Sequence, residues 1–226
     1  MPRPESDPSV YNDMYLHDDR TYDDPGRSPY MPMFRAVVQE ARRRKLRAIL
    51  EVGCGSGTLA QMLITDAKVE YAGFDIADEG VKKARLKNPD RGTFFVGNAT
   101  DPDTYRIDYD GIVCVEVLEH ILEDRGVIEC WRPGTECICS VPNFDYETHV
   151  RKFATETEVR ERYGDLIAIE RISRIPKHVW SGGLTLPQYL RRLRWNCHNP
   201  RSVAGLLGIN RFENYAGWFL FSGRRR

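Results

Sequence analysis

Short apolar runs, each closed by a polar or glycine-bearing turn, set the rhythm of the first two thirds of this chain. Ala48–Val52, 69–74, Thr93–Val96, 109–115 and 136–141 read as strands, since they are brief and rich in β-branched and aromatic residues. Helical spacing fills the gaps at 58–65 and 79–86, and over most of 118–131. Before the first strand, Phe34, Val37, Val38 and Ala41 share one face of a helix predicted over 34–45. Strands alternating with helices at this spacing predict a doubly wound, mostly parallel α/β sheet joined by right-handed crossovers. Past Pro142 the rhythm changes. Residues 155–163 look helical, 166–172 and 215–222 extended, and 175–210 mix Trp, Pro, Gly and Arg without a simple period.

Composition narrows the picture. The 226 residues suit one core with embellishments, and 41% hydrophobic against 29% charged argues against wholesale disorder. Thirty-three basic and 33 acidic residues leave no net field to steer a nucleic acid or an acidic membrane. No apolar run approaches the roughly 18 residues of a membrane span, and the opening Met-Pro-Arg-Pro-Glu-Ser-Asp has no signal-peptide core. A cytoplasmic protein, monomer or homodimer, is expected. From Arg151 onward fifteen basic residues face six acids, a segregation that keeps an anionic partner in view. The six cysteines form no C-x-x-C pair, so buried free thiols are expected, with Cys137 and Cys139 on one strand face. Residues 1–33, rich in Tyr, Asp and Pro, are expected to form a leader or a lid over a main domain at 34–226. Within that domain 175–210 would be a substrate-side insertion before the last strand.

The chemistry begins at Glu51-Val-Gly53-Cys54-Gly55-Ser-Gly57, which follows a strand and opens a helix. Glycines permit a tight turn and let a ligand approach without a Cβ in the way. The spacing is neither the G-x-G-x-x-G of dinucleotide turns nor the G-K-[ST] of a P-loop, which excludes a nicotinamide oxidoreductase and a P-loop nucleotidase. Tyr71-Ala-Gly-Phe-Asp75-Ile76 ends the second strand in an acid, Phe95-Val-Gly-Asn98-Ala99 follows the third, and Glu116-Val-Leu-Glu119-His120 follows the fourth. Taken in order, these motifs resemble the class I S-adenosylmethionine-dependent methyltransferases from about residue 46 to 143. The resemblance implies a Rossmann-like, seven-stranded sheet with helices on both faces and an antiparallel last strand. It also implies S-adenosyl-L-methionine as cofactor, held by Glu51, Gly53, Cys54, Gly55, Gly57, Asp75, Ile76, Asn98, Ala99 and Glu116. In that reading Glu51 faces the methionine ammonium, Asp75 the ribose hydroxyls, Ile76 the adenine face, and Asn98 with Ala99 the adenine edge. Asn98 departs from the acid usual there.

Methyl transfer to a hydroxyl needs a group to orient it and take its proton. His120, His149 and His178 are the candidate bases, with Glu119 and Asp145 behind them. Candidate acceptor contacts are Tyr11, Tyr15 and Tyr30 in the leader, Asn143 after the fifth strand, and Trp180, Arg191 and Trp195 in the insertion. Rings and cations suit a small ring-bearing or anionic acceptor such as a sugar nucleotide, a metabolite or a natural-product intermediate. Glu116-x-x-Glu119-His120 with a later histidine also resembles the metal-assisted small-RNA 2'-O-methyltransferases. E-x-L-E-H equally suits metal-free ubiquinone-type enzymes, and Ile121 stands where a second histidine would be expected. The expectation is therefore a methyltransferase acting on an oxygen of a small molecule, with nitrogen second, and with no metal and no nucleic-acid partner. Metal-assisted RNA methylation and a non-catalytic cofactor-binding partner protein are the alternatives.

Overall fold

The structure is a computed structural model that describes residues 3–17, 28–177 and 216–226, together with Arg194. Pro8–His17 forms α1 and Met31–Arg43 forms α2. The second helix starts three residues before the expected Phe34, because Pro32 in its first turn is pre-set for helix and Met31 and Met33 extend its buried face. The alternation then runs β1 (Ala48–Val52), α3 (Thr58–Met62), β2 (Glu70–Asp75), α4 (Asp78–Lys87), β3 (Thr93–Val96), β4 (Gly111–Cys114), α5 (Asp124–Glu129) and β5 (Glu136–Pro142). Next come α6 (Glu156–Tyr163), β6 (Ile167–Pro176) and β7 (Gly217–Arg225).

The strands form one sheet in the order β3-β2-β1-β4-β5-β7-β6. Neighbours from β3 to β5 pair in parallel, and β7 runs antiparallel between β5 and β6. Alternate residues feed the two faces. Cys137 and Cys139 pack with Trp131, Tyr163 and Phe221 on one side, while Ile138 joins Val37, Leu59 and Trp218 on the other. Five of the cysteines are free thiols, four of them buried, and Cys197 lies outside the described residues. Strand order reverses between β1 and β4, and in sheets of this kind ligands bind at the carboxyl ends of the strands at that point.

Two of the predicted helices are interrupted. Over 58–65 the α-helix ends at Met62 and continues as one wider turn to Ala67. Over 118–131, Leu118–His120 is a single 3-10 turn and α-helix resumes only at Asp124. The physical reason is Arg151, whose guanidinium donates to the carbonyls of Leu118 (2.7 Å), Ile121 and Leu122 (2.8 Å). Carbonyls satisfied from outside need no amide four residues on. Arg151 also pairs at 3.1 Å with Asp124, which is fully buried and accepts from Arg162 (2.8 Å) and Tyr163 (2.6 Å).

A second buried cation ties the ends of the domain together. Arg44, just past α2, meets Glu40 (3.0 Å), Glu136 of β5, and Glu170 (2.9 Å) at the irregularity in β6. It also donates to Ser222 of β7 at 3.2 Å. Among the described cations after residue 150, Arg151, Arg162, Arg174 and Arg224 pair with carboxylates. Among the described residues no helix is long and apolar enough to cross a membrane.

Candidate active site

The carboxyl ends of β1, β2 and β4 open into a cavity of about 470 Å³, within the range of small-molecule sites. Its floor is the turn after β1. Gly53 and Gly55 have φ of +72° and +49°, and a Cβ at Gly53 would stand 2.4 Å from Val117 Cγ2. At Gly55 a Cβ would lie 2.6 Å from the Tyr15 hydroxyl. Positive φ and this crowding both demand glycine. Gly57 serves the turn from below, since a Cβ there would strike α4 at Ala84, and it does not line the cavity.

Two carboxyls face this floor. Glu51 is 2% exposed and accepts from Tyr71 Oη at 2.6 Å; burial raises its pKa to about 8. Asp75 accepts from the amides of Gly55 and Ala77, both at 2.9 Å. Burial pushes its pKa up while these amides pull it down. The carboxylate keeps capacity to accept from a ligand. Ile76, Asn98 and Ala99 line the same end, with Ile76 40% exposed. The Asn98 side-chain oxygen already accepts from Thr100 N (3.0 Å) and Oγ1 (2.9 Å), so its amide is turned into its own loop.

At the far end the turn after β4 carries the other acids. Glu116 has φ of +58°, a strained conformation for a side chain of this size, and Ser140 Oγ accepts its amide hydrogen at 3.1 Å. The strain delivers the Glu116 carboxyl, a candidate contact, to the cavity wall. Glu119 is fully buried, and among the described residues no ordinary donor satisfies its oxygens or Glu116 Oε1; the two acids lie close enough to share a proton. Burial, and then the neighbouring acid, raise the Glu119 pKa well above the ordinary carboxylate range.

His120 and His149 meet beside them, ring centroids 5.0 Å apart in a T-shaped pair. His120 Nδ1 lies 3.0 Å from Thr148 O and His149 Nδ1 lies 3.3 Å from Phe144 O. A carbonyl can only accept, so both Nδ1 atoms carry the hydrogen and both Nε2 atoms present a lone pair. Burial lowers both pKa values, that of His120 to about 4, which keeps the rings neutral near pH 7. Ligand atoms of Glu119, His120 and His149 lie within 4.8 Å of one another. The sequence predicts no metal site, and these three donors are close enough together to hold an ion.

The N-terminal segment crosses the mouth. Arg3 pairs with Asp145 at 2.9 Å, Glu5 accepts from the Leu122 amide, and Asn12 accepts from the Glu79 amide at the start of α4. Tyr11 stands edge-on to His120 at 5.8 Å, and Tyr15 and Tyr30 also line the cavity. Asn143, by contrast, does not line it. Its side chain accepts from Gly217 N at 2.8 Å and locks the end of β5 to β7. His178, Trp180, Arg191 and Trp195 lie outside the described residues. Sequence reasoning missed Arg151, Tyr71 and Lys177; nothing local marks them, because each acts on a partner distant in the chain.

The family model for a methyltransferase domain matches residues 31–182, two thirds of the chain. The chain belongs to that family. Curated relatives include ubiquinone biosynthesis O-methyltransferases from Hydrogenovibrio crunogenus (28% identical, 53% of this chain, 52% of the relative) and Shewanella halifaxensis (34%, 46% and 47%). A small RNA 2'-O-methyltransferase from Arabidopsis thaliana is 25% identical over 54% of this chain and 15% of the relative. The chain thus spans about half the length of its ubiquinone-pathway relatives. Among solved structures it resembles the [4+2]-cyclase SpnF (TM-score 0.67, 15% identical, covering 100% and 99% of the two chains). It also resembles magnesium protoporphyrin IX methyltransferase from Synechocystis with bound SAM (TM-score 0.60, 16%, covering 99% and 100%). At such identity these neighbours establish the class I methyltransferase fold, which hosts a cyclase as well as methyltransferases.

Proposed function

We propose that this chain transfers a methyl group from S-adenosylmethionine to an oxygen of a small hydroxyl-bearing acceptor. The supporting observation is one cavity that joins a glycine floor with two buried carboxyls to an end bearing two imidazoles with free Nε2 lone pairs. The floor fits the cofactor, because its positive-φ turn brings the 53–56 backbone and the residues Glu51 and Asp75 to one cavity. Glu51 would face the ammonium, Asp75 the ribose, Ile76 the adenine face, and the Asn98–Ala99 backbone the adenine edge. When bound, the cofactor supplies an electrophilic methyl on a sulfonium, which leaves without help from a protein acid. The chain's own task is to hold the acceptor oxygen and remove its proton, a role for His120 or His149. Tyr11 and Tyr15 would close the mouth as a lid that excludes water.

The test screens hydroxylated small molecules for S-adenosylhomocysteine release, then compares His149→Asn and His120→Asn. We expect one of them to lower kcat about 100-fold while S-adenosylhomocysteine affinity holds within about twofold. Failure of the wild type to bind S-adenosylhomocysteine in calorimetry would sink the proposal.

A second reading is favoured by the Glu119–His120–His149 cluster, whose buried carboxyl meets no ordinary donor among the described residues and suits a cation. Imidazole and carboxylate donors fit a divalent ion between manganese and zinc in softness. Each imidazole Nδ1 is already tied to a carbonyl, the support typical of metal-bound histidine. Such an ion would act as a Lewis acid on the acceptor hydroxyl. The Arabidopsis relative makes a ribose 2'-hydroxyl of a small RNA the acceptor to test. Saturable Mn²⁺ or Zn²⁺ binding that Glu119→Gln abolishes, with activity lost to chelator, supports this reading. A metal-free protein indifferent to chelator leaves the first.

A further inference from the structure

At the rim of the cavity one cation forms no ion pair among the described residues. Lys177 follows β6 directly, and its backbone amide donates to Ala216 O at 2.8 Å, next to the Asn143–Gly217 lock. Its backbone position is therefore fixed by the sheet. The ammonium stands 4.4 Å from the Phe144 ring centroid, 5.7 Å from Trp218 and 5.9 Å from Tyr30. These rings brace one another, with Tyr30–Trp218 at 5.5 Å and Phe144–Trp218 at 5.7 Å. Ring faces attract a cation but accept none of its three N–H bonds in the manner of an oxygen. Among the described residues none forms an ion pair with Lys177, and it is the one Lys or Arg lining the cavity. Glu116 is near enough to act on its charge, yet makes no contact.

We infer that Lys177 is the anchor for an anionic group, carboxylate or phosphate, carried by the methyl acceptor. The inference rests on the methyltransferase reading and names the substrate class of that same site. A half-buried ammonium is costly to desolvate, which the aromatic faces repay only in part and an acceptor's oxyanion would complete. The neighbouring rings would pack against the apolar part of the same molecule. Phe144 also lies 5.6 Å from the His149 ring, so an anion at Lys177 and a hydroxyl at the imidazole pair lie within one small acceptor's reach.

The competing explanation is that Lys177 merely offsets Glu116. Calorimetry on the full chain saturated with S-adenosylhomocysteine separates the two, using benzoate, phenyl phosphate and neutral benzamide as probes. In the wild type at least one anion should bind about tenfold or more tightly than benzamide. The preferred one tells carboxylate from phosphate. Lys177→Met should erase that preference and leave benzamide unchanged within about twofold, and Lys177→Arg should retain most of it. Equal affinity for all three probes, no saturable binding of any, or equal weakening of all three in Lys177→Met would overturn the inference. Because each titration begins from the S-adenosylhomocysteine complex, failure here is distinct from failure of the cofactor reading, which would show as no complex at all.

Discussion

Glu51 offers a direct thermodynamic test of where the cofactor's ammonium sits. Burial holds its pKa near 8 rather than the ordinary 4.5, so at pH 7 about nine tenths of the ligand-free molecules carry a proton there. A cation placed beside it favours the carboxylate, and binding must then expel that proton. Between about pH 6 and 8 S-adenosylhomocysteine affinity should rise by up to about tenfold per pH unit, some 1.4 kcal/mol. The rise should flatten above about pH 8, where the ligand's own amine loses charge. Calorimetry at about pH 7 in phosphate and in Tris reads the release as a slope against buffer ionisation enthalpy, expected at about 0.7 to 0.9 proton. Glu51→Gln keeps the shape and cannot ionise, so its slope should fall close to zero. Linkage also fixes the sign for stability. The folded carboxyl holds its proton where the unfolded one has lost it, so ligand-free stability should decline as pH rises from 4.5 toward 8. A wild-type slope of zero, or an undiminished slope in Glu51→Gln, would refute the placement.

Three further outcomes can be checked. Gly53→Ala forces a left-handed alanine against Val117, which should cost about 2 to 4 kcal/mol in urea unfolding. Adding Val117→Ala should recover the steric part and leave the backbone strain. Arg151→Met strips three carbonyls and Asp124 of a donor, so stability should drop by about 3 kcal/mol. Its kcat should fall more than its S-adenosylhomocysteine affinity, since the turn holding Glu119 and His120 loosens. Removing residues 1–17 should speed S-adenosylhomocysteine dissociation in stopped flow by about tenfold or more; an unchanged rate would deny α1 any closing role.

Local signals in the sequence carry the fold well. Short apolar runs placed every parallel strand, most sharply β4 and β5, which are buried on both faces and almost wholly apolar. The positions of Glu51, Gly53, Gly55, Asp75 and Ile76 follow from strand ends, which the turn chemistry marks, and all of them line the cavity. What sequence could not supply was partnership across distance. Arg151 looks like one more surface cation until its contacts with the 118–122 turn are seen, and that contact is what breaks the expected helix. Asn143 reads as a ligand contact because it follows a strand, yet its amide is consumed by β7. Lys177 gains its character from rings at positions 30, 144 and 218, which no linear pattern connects.

The single bond from Lys177 to Ala216 gives the chain a practical modularity. Positions 177 and 216 face each other at the last rung of the sheet, so β6 and β7 hold their register through the described residues alone. A designer could exchange the sequence that joins these two positions, as one changes a tool bit in a fixed chuck, and ask whether the sheet and S-adenosylhomocysteine binding survive.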